Sequence, residues 1–108
     1  MKKYRVRIEP RALADIQEIT DWYNEKQAEL GYRFLKTTIK QINSLSKNPC
    51  RFAIRYKVIR CMIIKKFPYM VHFYINQENS SVEILAVIST DRSPEVWKKK
   101  TDKDNNSR

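Results

Sequence analysis

Residues 55–97 read RYKVIRCMIIKKFPYMVHFYINQENSSVEILAVISTDRSPEVW and contain three short apolar runs. Turn-like segments separate the runs: KKFPY at 65–69 and NQENSS at 76–81, with DRSPEVW at 91–97 after the last run. Apolar runs of this length, rich in Ile, Val, Tyr and Phe and bounded by Pro, Asn and Ser, are typical of β-strands. We therefore predict an antiparallel meander of three strands in this part of the chain.

The N-terminal part of the chain predicts a further strand followed by a helix. Tyr4, Val6 and Ile8 alternate with two arginines, as expected of a half-buried strand. Pro10 suits the first position of a helix. The residues at helical spacing after it are Leu13, Ile16, Ile19 or Thr20, and Tyr23. The helix is predicted over residues 10–28, because Gly31, the only glycine of the chain, is a natural helix terminator.

A second helix is predicted over residues 31–47. Its apolar stripe consists of Leu35, Ile39, Ile42 and Leu45. The helix ends at Asn48, because the residue before a proline avoids the helical conformation. Two short helices joined by a tight loop form an antiparallel hairpin, and their apolar stripes require a sheet as a cover.

Alternation predicts which strand residues share a face of the sheet. One strand is expected to have Val71, Phe73 and Ile75 on one face and Met70, His72 and Tyr74 on the other. The next strand is expected to have Ile84, Ala86 and Ile88 on the same face. The helical hairpin can cover only one face. The other face is still partly apolar, is expected to be uncovered in the monomer, and is predicted to be an interface with another protein.

These elements predict one α+β domain of order β-α-α-β-β-β, with a helical hairpin packed on an antiparallel sheet and a short C-terminal helix at residues 93–100. The domain is expected to span residues 1–100, since 108 residues is the usual size of a single domain. Residues 101–108, TDKDNNSR, are polar and without apolar periodicity, so we expect a flexible tail there.

The charges of the chain are strongly polarised. The net charge is +10, and residues 30–77 contain ten Lys or Arg and no acidic residue, whereas residues 10–29 contain five acids and two bases. The solvent face of the first helix is expected to carry Asp15, Glu18, Asp21 and Glu25. The basic segment favours a polyanionic partner, which can be a nucleic acid, an acidic protein or a membrane surface. It argues against an ordinary neutral metabolic enzyme.

Few residues of the chain could bind a metal or a cofactor. One histidine and two cysteines at no recognised spacing do not complete a four-ligand metal site, and a single glycine does not make a phosphate-binding loop. Cys61 and His72 lie in neighbouring predicted strands without a third group to orient them, which favours a structural histidine over a catalytic pair. No metal and no cofactor are therefore expected.

The sequence predicts a cytoplasmic protein that does not interact with a membrane. The start, MKKYRVRIEP, lacks the apolar segment of a signal peptide, and no apolar run approaches the ~20 residues that span a bilayer. Two cysteines do not make a disulfide framework.

Cationic and aromatic residues are interleaved in the first half of the meander. The cations are Arg51, Arg55, Lys57, Arg60, Lys65 and Lys66, and the rings are Phe52, Tyr56, Phe67, Tyr69 and Tyr74. Cations combined with stacking rings are used to recognise single-stranded RNA. Rings in alternating strands are more often buried in a core, with the cations solvating the strand edges. The sequence alone leaves both interpretations open.

An ordered set of short motifs resembles the RelE/ParE superfamily, the small toxins of bacterial toxin–antitoxin modules. The motifs are Glu9-Pro10-Arg11-Ala12 and Leu30-Gly31-Tyr32-Arg33-Phe34 at the two helix starts, Lys66-Phe67-Pro68-Tyr69 before a strand, and Ala86-Val87 followed by Asp91-Arg92-Ser93-Pro94 and Trp97. The resemblance covers residues 3–99. It implies a RelE/ParE-like fold and a small antitoxin protein as the partner, with which the chain forms a hetero-oligomer.

Within the superfamily, the DRSPEVW ending resembles the ParE branch, whose members poison DNA gyrase by binding and serve in plasmid stabilisation. The RelE branch cuts messenger RNA on the ribosome. Met70 stands where both branches frequently have arginine, Ser89 stands where the ParE branch commonly has histidine, and no tyrosine or histidine follows Tyr74. The resemblance thus implies a gyrase inhibitor that is not an enzyme, with a metal-independent messenger RNA endonuclease and an inactive, non-toxic binding relative as the alternatives.

The resemblance also implies site residues. The antitoxin is expected to bind Arg55, Arg60, Lys66, Met70 and Tyr74, and the cellular target to bind Arg92, Ser93, Pro94 and Trp97. If the chain is a ribonuclease, Lys65, Lys66 and Arg92 are the expected phosphate-binding catalytic cations.

Overall fold

The computed structural model describes residues 3–101, which form three helices and a five-stranded sheet. The elements are β1 (Arg5–Ile8), α1 (Pro10–Lys26), α2 (Leu30–Ser44), β2 (Ile54–Tyr56), β3 (Ile59–Ile63), β4 (Tyr69–Asn76), β5 (Ser81–Ser89) and α3 (Pro94–Thr101). A single 3-10 turn at Pro49–Arg51 precedes β2. The predicted α+β architecture and the short C-terminal helix are confirmed. Of the expected tail, residues 102–108 lie outside the described residues.

The sheet is mixed, although an antiparallel sheet was predicted. Its strand order is β1-β5-β4-β3-β2. The four strands that follow the helices are antiparallel, as predicted, but β1 lies parallel to β5, with Val6 opposite Val82. Alternation within a strand reports which face is buried and does not report the direction of the neighbouring strand.

The segment after the helices contains four strands, where three were predicted. A two-residue turn at Lys57 and Val58 divides the first apolar run into β2 and β3. Lys57 has a φ of 50° there. The sequence carries no Gly, Asn or Pro to mark this turn, and for that reason the extra edge strand was not predicted.

The helical hairpin covers one face of the sheet, and the main core lies between them. The most deeply buried large side chains of this core include Phe34, Ile42, Leu45, Ile64, Phe73 and Ile84. In α1, Ile16, Ile19 and Thr20 are buried as predicted, but Leu13 is 51% exposed and Ala12 is fully buried instead. The buried stripe of α1 therefore differs from the predicted one only at its first position, where Ala12 replaces Leu13.

Gly31 permits the close approach of the two helices, and it does not terminate a helix as predicted. It is the second residue of α2 and is buried against α1. A Cβ at this position would overlap the carbonyl oxygen of Thr20 and would lie 2.5 Å from Cγ of Asn24. The Gly31 N–H donates to Oδ1 of Asn24 at 2.8 Å. The left-handed turn residue between the helices is Glu29, with a φ of 70°.

Gly31→Ala is expected to lower the free energy of unfolding by about 1–3 kcal/mol. The added methyl group meets a backbone carbonyl of α1, which cannot rotate away, so the helices must separate. The measurement is urea denaturation followed by circular dichroism. Asn24→Ala is the matched control, since it removes the hydrogen bond and leaves room at the crossing. Equal stability of Gly31→Ala and the wild type would contradict the close-packed crossing.

A bulge changes the face assignment in β5. His72 pairs with Ala86 while Phe73 pairs with Ile84, so that Leu85 is an extra residue on β5. Ile84 and Ala86 therefore face opposite sides, and the prediction that they share a face is wrong. Ala86 and Ile88 instead join Met70 on the face away from the hairpin.

No helix within residues 3–101 is long and apolar enough to cross a membrane.

Candidate functional site

The sheet face away from the hairpin is partly covered by α3. Trp97 of this helix is 7% exposed and packs in a second apolar cluster with Met70, Ala86 and Ile88. The expectation that this face is uncovered is therefore wrong at the end of the sheet where α3 lies. The cover consists mainly of one aromatic side chain, since α3 has only eight residues.

Beneath α3 lies a cluster of polar side chains around His72. The Tyr56 hydroxyl lies 2.9 Å from His72 Nδ1, and the Cys61 Sγ lies 3.4 Å from the same atom. The Thr101 hydroxyl donates to the Trp97 carbonyl oxygen at 2.8 Å, and its oxygen lies 3.3 Å from the Tyr56 hydroxyl. The Tyr56 hydroxyl thus lies within hydrogen-bond distance of both His72 and Thr101. Among residues 3–101, neither His72 Nε2 nor Trp97 Nε1 has a hydrogen-bond partner. The cluster ties β2, β3 and β4 to α3.

Burial keeps the ionisable groups of this cluster uncharged near neutral pH. Burial, followed by the positive charges of Arg55 and Lys100, lowers the pKa of His72 to about 4. Burial also raises the pKa of Tyr56 to about 12 and that of Cys61 to about 11. The imidazole of the fully buried His72 is therefore neutral near pH 7, and the half-buried Tyr56 and Cys61 keep their protons.

The segment between β5 and α3 presents an exposed loop. Arg92, Ser93 and Pro94 are all exposed. The Ser89 hydroxyl donates to Asp91 Oδ1 at 2.5 Å. The Ser93 carbonyl oxygen accepts the first helical N–H groups of α3, and proline at the first helical position fits this start. Three of the predicted target-binding residues are thus together on the surface, and the fourth, Trp97, is buried below them.

A groove of about 400 Å³ runs between α1 and this loop. Asp15 lies in its wall, where its carboxylate accepts the Val87 N–H at 3.0 Å and lies 3.6 Å from the Lys100 ammonium. Burial is the main cause that raises the pKa of Asp15. Arg92 and Tyr69 line the same groove. The carboxylate was predicted on the solvent face of α1, but it anchors α3 and β5 to that helix.

The predicted antitoxin-binding residues do not form one surface. Arg55 is exposed, with its guanidinium 5.4 Å from the centre of the Trp97 ring, and Tyr74 is half-buried on the same face of the sheet. Met70 is only 5% exposed, because Trp97 lies on it. Met70 is therefore not available to a partner while α3 is docked.

Arg60 and Lys66 lie away from that face. The Arg60 guanidinium donates to the carbonyl oxygens of Phe52 at 2.6 Å and Cys50 at 3.3 Å, and so it holds the loop before β2. Lys66 is exposed in the turn between β3 and β4, with a φ of 69°, and it faces a groove beside α2. These two cations are on the side of the hairpin.

The cations predicted for a ribonuclease line separate cavities. Lys65 and Lys66 border grooves beside α2, whereas Arg92 borders the groove beside Asp15. None of the described residues forms a group of three His, Cys, Asp or Glu that could hold a metal ion. The arrangement can bind anions at two places, but it does not concentrate these cations around one phosphate.

The sequence predicted a basic second helix within the acid-free segment 30–77, but no residue of that helix was named as a site residue. Arg33, Lys36 and Lys40 are exposed and, together with Lys66, line adjoining grooves. The signal was present as the i, i+3, i+7 spacing of basic residues, which places them on one helix face.

Comparison with known proteins assigns the chain to a family. Residues 6–94 match the family model of the ParE toxin of the type II toxin–antitoxin system, parDE. The chain belongs to the ParE toxin family. It is therefore a toxin of the type II toxin–antitoxin kind, within the RelE/ParE superfamily, as the motifs of the sequence predicted. No curated protein matches the sequence.

Solved structures share the fold of this toxin at low sequence identity. The chromosomal ParDE system from P. aeruginosa superposes with a TM-score of 0.73 at 17% identity, over 82% of this chain and 98% of the other. A mutant form of the E. coli toxin RelE in the free state superposes with a TM-score of 0.65 at 13% identity, over 94% of this chain and 97% of the other. The RelBE2 toxin–antitoxin complex from Mycobacterium tuberculosis superposes with a TM-score of 0.61 at 21% identity, over 81% of this chain and 98% of the other.

Proposed function

We propose that this toxin inhibits DNA gyrase by binding, without cutting nucleic acid, and that a small antitoxin neutralises it. The observation that carries the proposal is the burial of the one histidine beneath α3. General acid–base help is worth about 10²–10⁴ in the rate of RNA cleavage and requires a group that reaches the substrate. His72 is fully buried next to Trp97 of α3, Tyr56 is half-buried, and the cations expected for a ribonuclease are divided between separate cavities.

The surface that would contact the target is the loop before α3. Arg92, Ser93 and Pro94 are exposed beside a groove, and Trp97 fixes the helix that follows them. Arginine is one of the residues that most often dominate the binding energy of a protein–protein interface. Membership of the ParE family supports gyrase as the target of this surface.

The antitoxin would dock on the outer edge of the sheet. β2 is an edge strand, and Ile54 and Val58 at this edge are more than half exposed, beside the exposed Arg55 and Lys57. An unpaired strand edge with apolar side chains and flanking cations fits an acidic, amphipathic segment that adds a strand. Similar structures include toxin–antitoxin complexes, which supports a partner of this class.

The test is controlled expression of the toxin in bacteria with two molecular readouts. We expect arrested growth, induction of the DNA-damage response and loss of plasmid supercoiling, and we expect no new in-frame cuts in messages mapped by primer extension. Co-expression of the antitoxin encoded beside the toxin should restore growth. Arg92→Ala should relieve the arrest, whereas Arg5→Ala, which removes an exposed cation from β1, should not.

The alternative is a messenger RNA endonuclease that acts on the ribosome. Codon-positioned cuts that vanish in a Lys65→Ala, Lys66→Ala double variant would support that activity and overturn the proposal. Point variants are preferred to truncation after Ile88, because truncation removes Trp97 and with it the cover of the sheet.

A further inference from the structure

We infer that the exposed face of α2 is a binding track for a single-stranded polynucleotide, separate from the surfaces proposed above for gyrase and the antitoxin. Two adjoining grooves of about 580 and 670 Å³ follow this helix and share Thr37 and Lys66 in their walls. One acidic residue, Glu29, lies among the residues that line them. The cations that line them are Arg33, Lys36, Lys40, Arg51, Lys65 and Lys66.

Within residues 3–101, no carboxylate pairs with any of the six cations of this track. Arg33, Lys36 and Lys40 lie on one face of α2 and span about 10 Å along its axis, at 1.5 Å per residue. A row of unpaired cations in a groove is an electrostatic site for a polyanion.

The structure holds the two walls of the track in a fixed relation. The Gln41 side chain of α2 donates to the Ile63 carbonyl oxygen at 3.0 Å and accepts the Lys65 N–H at 2.6 Å. These two hydrogen bonds join α2 to the end of β3 and to the β3–β4 turn. The lysines of the turn and those of the helix therefore form one preorganised array.

An exposed ring makes the track suit a single strand better than a duplex or an acidic peptide. Tyr32 is 56% exposed in the wall of the groove, and the Lys36 ammonium lies 5.5 Å from the centre of its ring. An aromatic ring beside phosphate-binding cations can stack an unpaired base, and every base has a face to stack. Bases in a duplex and the carboxylates of a peptide do not offer that contact.

The test is fluorescence anisotropy with the full-length toxin and a labelled 12-nucleotide single strand, as DNA and as RNA, over a range of salt concentrations. The variant Arg33→Gln, Lys36→Gln, Lys40→Gln should bind about a hundredfold more weakly at 0.1 M salt, and its slope of log K against log salt should fall by about 2. The matched control removes three exposed cations elsewhere, as Arg5→Gln, Lys98→Gln, Lys99→Gln, and should bind within about threefold of the wild type.

Substitutions at Tyr32 distinguish the contribution of base stacking from that of the positive charges. Tyr32→Ala should weaken binding by about tenfold with an unchanged salt slope, and Tyr32→Phe should bind as the wild type does. Circular dichroism of each variant verifies that the fold is retained, and the corresponding Lys→Arg changes at Lys36 and Lys40 should keep the affinity.

Three results would overturn the inference. Equal loss of affinity in the triple variant and its matched control would show that only the overall positive charge attracts the strand. Binding of duplex DNA as tightly as the single strand, with Tyr32→Ala unaffected, would exclude stacking. Tighter binding of a poly-glutamate peptide than of the oligonucleotide would assign the track to an acidic protein.

Discussion

Trp97→Ala is expected to lower the free energy of unfolding by about 3–5 kcal/mol, the usual cost of removing a large buried aromatic side chain. Trp97 provides most of the apolar surface with which α3 covers Met70, Ala86 and Ile88. Its ring also lies 5.3 Å from the His72 ring and 5.8 Å from the Tyr56 ring, centre to centre. The loss of the tryptophan therefore exposes both the apolar cluster and the polar one to water.

Urea denaturation of the wild type, Trp97→Ala and Trp97→Phe measures this effect. Trp97→Phe should lose less than half as much stability, since it keeps a ring and Trp97 Nε1 has no hydrogen-bond partner within residues 3–101. A loss below about 1 kcal/mol in Trp97→Ala would mean that the helix does not depend on this residue for its docking. In that case Trp97 would be free to contact the target directly.

Acidification from pH 7 to pH 5 should remove about 2 kcal/mol of stability through His72 alone, and about 3 kcal/mol once the pH is below 4. The pKa of His72 is about 4 in the folded chain, against an ordinary value of 6.5. Between these values the unfolded chain binds a proton that the folded chain excludes, so acid favours unfolding. The contribution of His72 to the free energy of unfolding is fully present above pH 6.5 and is lost progressively as the pH falls towards 4.

The contribution of His72 to the pH dependence can be measured without interference from other histidines, because His72 is the only histidine of the chain. The quantity to compare is the change in unfolding free energy between pH 7 and pH 5 in the wild type and in His72→Asn, whose amide offers both a donor and an acceptor to the Tyr56 hydroxyl. Asp15, whose raised pKa has the opposite effect on stability, is present in both and cancels. Arg55→Gln should raise the pKa of His72, seen directly as an NMR titration of its ring. Identical pH dependence in the wild type and His72→Asn would contradict the buried neutral imidazole.

The element order could be predicted because local patterns specify it. The change from helical spacing to alternation near Pro49 separates α2 from the strands, and Ser93 with Pro94 marks the start of α3. α1 begins at Pro10 as predicted, while its end and both ends of α2 differ from the predicted ones by one to three residues, as helix ends commonly do.

The features that were not predicted depend on contacts between distant residues. The parallel direction of β1, the turn at Lys57 and the extra residue Leu85 leave no mark in local composition. Gly31 was predicted to end a helix, whereas its role is set by the carbonyl of Thr20 on the other helix.

The candidate site was predicted only in part, because the position of α3 on the sheet could not be predicted from the sequence. The exposed loop at Arg92 follows from a polar run before a helix. The burial of Met70 beneath Trp97 could not be read from either residue, since both are apolar and either could have faced a partner. Arg60 was counted among surface cations, but carbonyl groups of the preceding loop bind its guanidinium.

Supercoiling by purified gyrase, with increasing amounts of the purified toxin, tests the central claim most directly. We expect inhibition that Arg92→Ala weakens by at least about tenfold, as for a central interface arginine, while Arg5→Ala inhibits as the wild type does. The same toxin preparation should leave messenger RNA intact on translating ribosomes. Undisturbed supercoiling together with codon-positioned cleavage of the message would contradict the account.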